Sequence, residues 1–220
     1  MLQSSIQHIT LSAGEKREIV FINEVNMDWH IVQEANSSLR VHVIFIAEND
    51  TTAKWQSKLF VEQNGTNCRT DIYAMGLLHN SQEANLLTRV HHNIGGGYSS
   101  QVVKFVLNDQ TKGSFRGELK IQPDAQQTEA HQTNRNIILS RQAEMLTEPQ
   151  LEIYADDVKA SHGATTGQLD ESALFYMQQR CINRDTATKL LLEAFLDEVI
   201  STLSDEQQQE QIRETILQIL

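Results

Sequence analysis

The segment Arg40-Val41-His42-Val43-Ile44-Phe45-Ile46 alternates polar and apolar side chains and then runs apolar, as a buried strand can. Shorter pieces of the same kind follow: Lys58–Val61, Leu86–Val90, Val102–Leu107, Glu118–Ile121, Asn136–Leu139 and Leu151–Tyr154. Between them stand turn-forming residues: Asn64-Gly65, Gly95-Gly96-Gly97, Asn108-Asp109, Lys112-Gly113, Pro123-Asp124 and Ser161-His162-Gly163. Residues 40–169 show no helical stripe. The pattern predicts a mainly β region over 1–169, built as a sandwich, a barrel or a β-solenoid. Two features favour the solenoid. Asn64-Gly65 is the one hairpin-type turn. Amides also sit inside strand-like stretches, as in Gln132-Thr133-Asn134-Arg135-Asn136, where stacked coils can form ladders of equivalent side chains.

From residue 170 to 220 the period changes. Asp170 is placed to cap a helix carrying Leu174, Met177 and Cys181. Asn183 or Asp185 can cap a second, whose stripe reads Ala187, Leu190, Leu191, Ala194, Phe195 and Val199. Ser204-Asp205-Glu206-Gln207 has the pattern of a capping box and starts a third, with Ile212, Ile216 and Ile219 as its apolar edge. Helices this short cannot bury their stripes alone. They must dock on the β region, on a partner, or on both.

Composition sharpens the division. All ten glycines precede residue 170, and the chain holds 22 Gln and 13 Asn. Against 18 Lys+Arg stand 29 Asp+Glu, a net charge of -11, which repels phosphate backbones and argues against nucleic acid as a partner. The longest apolar runs, Val43–Ala47 and Ala173–Met177, are far shorter than the roughly 20 residues of a membrane span. Met1-Leu2-Gln3-Ser4-Ser5 lacks the charge and apolar stretch of a secretory signal. Cys68 and Cys181 cannot make a disulfide framework, so a reducing, cytoplasmic setting is expected.

Local chemistry motifs are sparse. The histidines at 8, 30, 42, 79, 91, 92, 131 and 162 include no HExxH pair, and His91 and His92 point to opposite faces of a strand. Gly95-Gly96-Gly97 lacks the lysine and following helix of a phosphate loop, and no GxSxG nucleophile is present. Asp156 and Asp157 diverge on a strand rather than forming a carboxylate pair.

Two polar stretches are more specific: Gln122 to Asn136, and Leu151 to Asp170 with its Ser161-His162-Gly163-Ala164-Thr165 core. From Gln122 to Phe195 the chain resembles the SufB/SufD family of iron–sulfur cluster assembly, its SufD branch most closely. The resemblance implies a right-handed parallel β-helix followed by C-terminal helices. It implies a non-catalytic scaffold subunit that pairs with SufB, or with itself when SufB is missing, and is held by the ATPase SufC. The SufC-docking element would run from about Gln168 to Leu203, with Phe175, Tyr176, Leu191 and Phe195 as its large side chains. His162 corresponds to a histidine proposed to take part in cluster assembly, as a ligand of a transient cluster or iron at the SufB interface. An imidazole is suited to that role. No stably bound cofactor is expected. Ala160 stands where relatives often have a cysteine, and Cys181 where the family often has glycine, so SufB would supply most cluster ligands. Family members usually carry a helical region ahead of the β-helix, and this chain is expected to start at the β-helix itself. The competing expectation is a β-solenoid carbohydrate-active enzyme, which needs carboxylates converging on one coil face.

Overall fold

A computed structural model describes residues 6–47 and 49–220. The reading of Met1–Ser5 as no secretory signal lies outside the described residues. Twelve strands alternate between two sheets: β1 (Gln7–Leu11), β2 (Lys16–Ile22), β3 (Met27–Gln33), β4 (Ser38–Ile46), β5 (Lys54–Gln63), β6 (Arg69–Leu78), β7 (Glu83–His92), β8 (Tyr98–Leu107), β9 (Lys112–Ile121), β10 (Thr128–Ile138), β11 (Glu144–Ile153) and β12 (Val158–Gly167). Odd strands form the first sheet in the order β1-β3-β5-β7-β9-β11, and even strands the second, β12-β10-β8-β6-β4-β2. All pairs are parallel, and each turn takes about thirty residues: Trp55 lies opposite Ala84, and Ala84 opposite Gly113. This is a parallel β-helix, the solenoid the strand pattern favours.

The corners explain part of the asparagine content. Gly14, Asn36, Asn67, Gly96 and Gln127 precede successive strands of the second sheet, all with positive φ between 56° and 76°. Glycine and asparagine adopt this left-handed conformation most readily. A cap-like backbone kink therefore recurs once per turn, where a hairpin would have reversed the chain.

Helices α1 (Glu171–Gln179), α2 (Arg184–Ile200) and α3 (Glu206–Ile219) follow. Asp170 caps α1 by accepting from the Ser172 amide, and Asn183 caps α2 by accepting from Thr186. The cap of α3 is Asp205, not Ser204: its carboxylate accepts from the amides of Gln207 and Gln208. Helices α2 and α3 cover the outer face of the second sheet. Ile44, Ile46, Met75, Leu77 and Val106 form one cluster with Leu192, Leu196, Val199, Ile200, Leu203, Ile212 and Ile216. Val43 and Phe45 point into the β-helix instead. Residues 43–46 run apolar because both faces of β4 are covered.

Several expectations are corrected. Lys112-Gly113 and Ser161-His162-Gly163 are not turns but lie within β9 and β12. Cys181 falls outside α1, one residue past its C-cap, Arg180. The buried residues of α2 are Ala187, Leu192, Leu196, Val199 and Ile200, while Leu190 is exposed. Three consecutive leucines allow two registers of the stripe, and docking on the second sheet selects the one through Leu192.

Two buried polar groups sit under the helices. Lys104, 3% exposed, donates from Nζ to the Phe195 carbonyl at 2.7 Å, pairs with Glu198, and lies 4.4 Å from the centre of the Phe195 ring. His42 is fully buried, stacked on Tyr73. The Thr202 hydroxyl donates to the Val199 carbonyl at 2.6 Å, so at 2.9 Å it accepts from His42 Nε2. His42 Nδ1 faces Glu18 at 3.4 Å. Burial lowers the His42 pKa to about 4; the Glu18 carboxylate opposes that shift, and Arg40 adds to it.

His42 is thus held neutral by the fold. Its contribution is complete above the ordinary imidazole pKa of 6.5 and is lost as pH falls from 6.5 towards 4. His42→Gln should flatten the acid limb of the stability curve between pH 7 and pH 4.5, by up to about 3 kcal/mol. Urea titrations across that range measure this; parallel curves for the two proteins would refute it. A second outcome is expected at Cys181, which has φ 64°. The Cys181 amide donates to Gln178 and the Ile182 amide to Met177, the paired bonds of a Schellman helix end. A side chain in this conformation costs about 1 kcal/mol. Cys181→Gly should slow amide exchange at the end of α1 about fivefold, whereas Cys181→Ala should leave it unchanged.

Candidate functional site

The last turn leaves the β-helix open. β12 pairs with β10 alone and β11 with β9 alone, so among the described residues both present a free edge. β12 is exposed from Ser161 to Gly167, and Leu146, Ile153 and Tyr154 are exposed apolar side chains on or beside β11. A long exposed edge strand is a template for adding another strand.

The interior changes character towards this end. In register, one inward column reads Val41, Ile72, Gln101, Gln132, His162. A second reads Phe45, Gly76, Phe105, Asn136, Thr166. In these two columns the first turns are hydrocarbon and the last are polar, hydrogen-bonded only in part. Asn134 and Asn136 bond each other and also Thr147, while Asn136 donates to the Thr166 hydroxyl at 3.1 Å. Thr88 donates to Gln101 Oε1 at 2.6 Å.

His162 stands in that inward column with no turn beyond it, which leaves its imidazole exposed at the mouth. Ala160 on the same face of β12 packs against the core, and Thr166 takes the Asn136 bond, so alternation fixes His162 on the inner side. On the outer side, His131 donates from Nε2 to Glu129 at 2.9 Å and accepts from Ser161 at 2.8 Å. That bond from His131 holds the Glu129 carboxyl below its usual range. Neither cysteine adjoins His162 in the fold: Cys68 is buried in the β5–β6 corner, near the Glu34 and Gly65 carbonyls, and Cys181 lies on the helical layer.

The four large side chains of the expected docking element separate into two groups. Phe175 and Tyr176 on α1 are 61% and 58% exposed, with the Arg180 guanidinium 5.1 Å from the Tyr176 ring centre. Leu191 is half-buried, and Phe195 packs on the cluster beneath α2 beside Lys104. Sequence reasoning missed Lys104, Gln101 and Gln132. A lysine inside the apolar run Val102–Leu107 is a usable signal for the first; Gln132 stands out only as one of several amides inside a strand-like stretch, and nothing in the sequence singles out Gln101.

Elsewhere the outer face of the first sheet is a set of matched charges. Lys54 meets Glu83, Arg89 meets Glu118, Arg116 meets Glu148 and Lys120 meets Glu152. A concavity of about 300 Å³ there, lined by Lys58, Leu87, Arg116 and Leu146 among others, contains none of the candidate residues.

A polar open end and a helical layer along one sheet distinguish this β-helix. Comparison with known proteins gives the family: residues 3–195 match the one described as SUF system FeS cluster assembly, SufBD core domain, and the chain belongs to it. Over 149 residues, 68% of this chain and 35% of the relative, it is 36% identical to the iron-sulfur cluster assembly protein SufD of Escherichia coli. It is 34% identical over 135 residues (61% and 30%) to the iron-sulfur cluster assembly SufBD family protein slr0076 of Synechocystis. To protein ABCI7, chloroplastic, of Arabidopsis thaliana it is 31% identical over 198 residues (89% and 41%). These matches span 30% to 41% of the relatives' own lengths.

Proposed function

We propose that this chain is a SufD-like scaffold subunit of the Suf iron–sulfur cluster assembly complex. It pairs with SufB across the open end of the β-helix and is bound by the ATPase SufC through its C-terminal helices. The nascent cluster, or its iron, is cargo carried transiently at the SufB interface, and His162 is the residue this chain brings to it. ATP hydrolysis belongs to SufC, and this chain acts as a non-catalytic subunit. The observation that carries the reading is the coincidence of the free β12 edge with His162 at the mouth of a polar interior, in a chain matched to the SufBD core over residues 3–195. Without SufB, the same edge can join two copies through a symmetric contact. The free Cys68 and Cys181 fit a reducing, cytoplasmic setting.

The exposed face of α1 supports the SufC assignment. Phe175 and Tyr176 project from the layer, whereas Phe195 is engaged with the chain's own second sheet. Exposed aromatics beside an arginine have the character of interface anchors.

Two outcomes are expected. Phe175→Ser with Tyr176→Ser should weaken SufC binding at least tenfold, measured by calorimetry, and leave the unfolding free energy from urea titration within about 0.5 kcal/mol of wild type. Phe195→Ser should mainly lower stability. Unchanged SufC affinity in the folded double variant would place the docking face elsewhere. For the interface, His162→Ala should leave folding and SufC binding intact and reduce cluster yield in the reconstituted three-protein complex. A yield equal to wild type would remove His162 from the mechanism.

A further inference from the structure

Gln132 is 2% exposed, and neither Oε1 nor Nε2 of its side chain has a hydrogen-bond partner among the described residues. Nε2 of Gln101, one turn behind, is in the same condition. Three unpaired polar atoms in one column are a substantial cost for a folded core. The position is built to hold the amide. Gly117, in the facing sheet, leaves room for the amide: a Cβ there would lie 2.0 Å from Gln132 Nε2. The residue in register with Gln132 on the free side is His162.

The column has one consistent hydrogen-bond sense. Gln101 Oε1 already accepts from the Thr88 hydroxyl while its Nε2 has no acceptor, so the sense that satisfies Gln101 is donation onward from Nε2. Gln132 then accepts at Oε1 and donates from its own Nε2. In-register parallel strands are about 4.8 Å apart, so rotations of adjacent side chains close each of these links. The next group able to accept is an unprotonated ring nitrogen of His162. This chain satisfies all three orphaned atoms at once, and the opposite sense leaves Gln101 Nε2 unpaired.

We infer that Gln132, backed by Gln101 and Thr88, is a positioning residue that fixes the neutral tautomer of His162, with the bare nitrogen turned inward and the N–H turned out of the mouth. The inference rests on His162 acting at the SufB interface and specifies how it acts. An outward N–H is a hydrogen-bond donor, suited to an anionic sulfur, either a thiolate of the partner or a sulfide of the nascent cluster, and not to ligating iron, which needs a free nitrogen lone pair.

The test is nitrogen NMR of the ¹⁵N-labelled full chain. A trans-hydrogen-bond ¹⁵N–¹⁵N coupling between Gln132 Nε2 and the inward nitrogen of His162 is expected, with one neutral tautomer favoured about tenfold. Gln132→Leu should abolish the coupling and return the tautomers to the mixture of free imidazole. If that variant fails to fold, the wild-type coupling alone decides. A wild-type spectrum with no such coupling and a free-imidazole mixture overturns the proposal. In the reconstituted complex, His162→Gln, which keeps an N–H donor, should retain more cluster yield than His162→Cys, which supplies a thiolate ligand. The reverse order overturns the donor role. A coupling present in a protein whose His162→Ala variant forms clusters normally would leave the tautomer assignment standing and sink the functional role of His162 instead.

Discussion

In-register parallel stacking governs this molecule. Each side chain of a turn lies against its equivalent in the next, about 4.8 Å away, so properties propagate in columns rather than in patches. Apolar columns give a continuous core with little hydrophobicity per strand. On the outer face of the first sheet, the same rule sets Lys54 against Glu83 and Arg116 against Glu148. Exposed pairs of this kind add little stability each, but a slipped register would place like charges together. At the corners, the kink repeats at Asn36, Asn67 and Gly96 because the turn it serves repeats.

The constraint also explains the site. A solenoid cannot end without exposing the next position of every column. Here the inward columns become polar before they end, with Gln101, Gln132, Asn134 and Asn136 replacing the hydrocarbon of Val41 and Val43. His162 is the terminal member of one such column. The second sheet is closed along its outer face by α2 and α3, held by Leu192, Leu196 and Ile216 and by buried Lys104. The open end at β11 and β12 and the exposed side of α1 are separate surfaces among the described residues.

The sequence made the division into strands and helices legible, because glycine stops at residue 167 and apolar spacing changes after it. The solenoid could be read from amides inside strands and from the scarcity of hairpin turns. Strands such as β6 and β12 were not legible: Arg69–Leu78 and Val158–Gly167 carry small and polar residues that a stacked column tolerates and a local pattern does not reveal. For the same reason, Ser161-His162-Gly163 looked like a turn. His162 was found through its motif, but the residue behind it was not, since a glutamine becomes conspicuous only when its register and burial are known. On α2, the sequence leaves open whether Phe195 faces a partner or the β-helix, and its contact with Lys104 is invisible without the fold.

The central claim is that the open β12 edge and the α1 face serve different partners. Hydrogen–deuterium exchange of the full chain, alone and after addition of SufB or SufC, tests it most directly. The account predicts that SufB slows exchange across 158–167 and leaves 171–182 unchanged, while SufC does the reverse. Protection by SufB that spares 158–167 would contradict it.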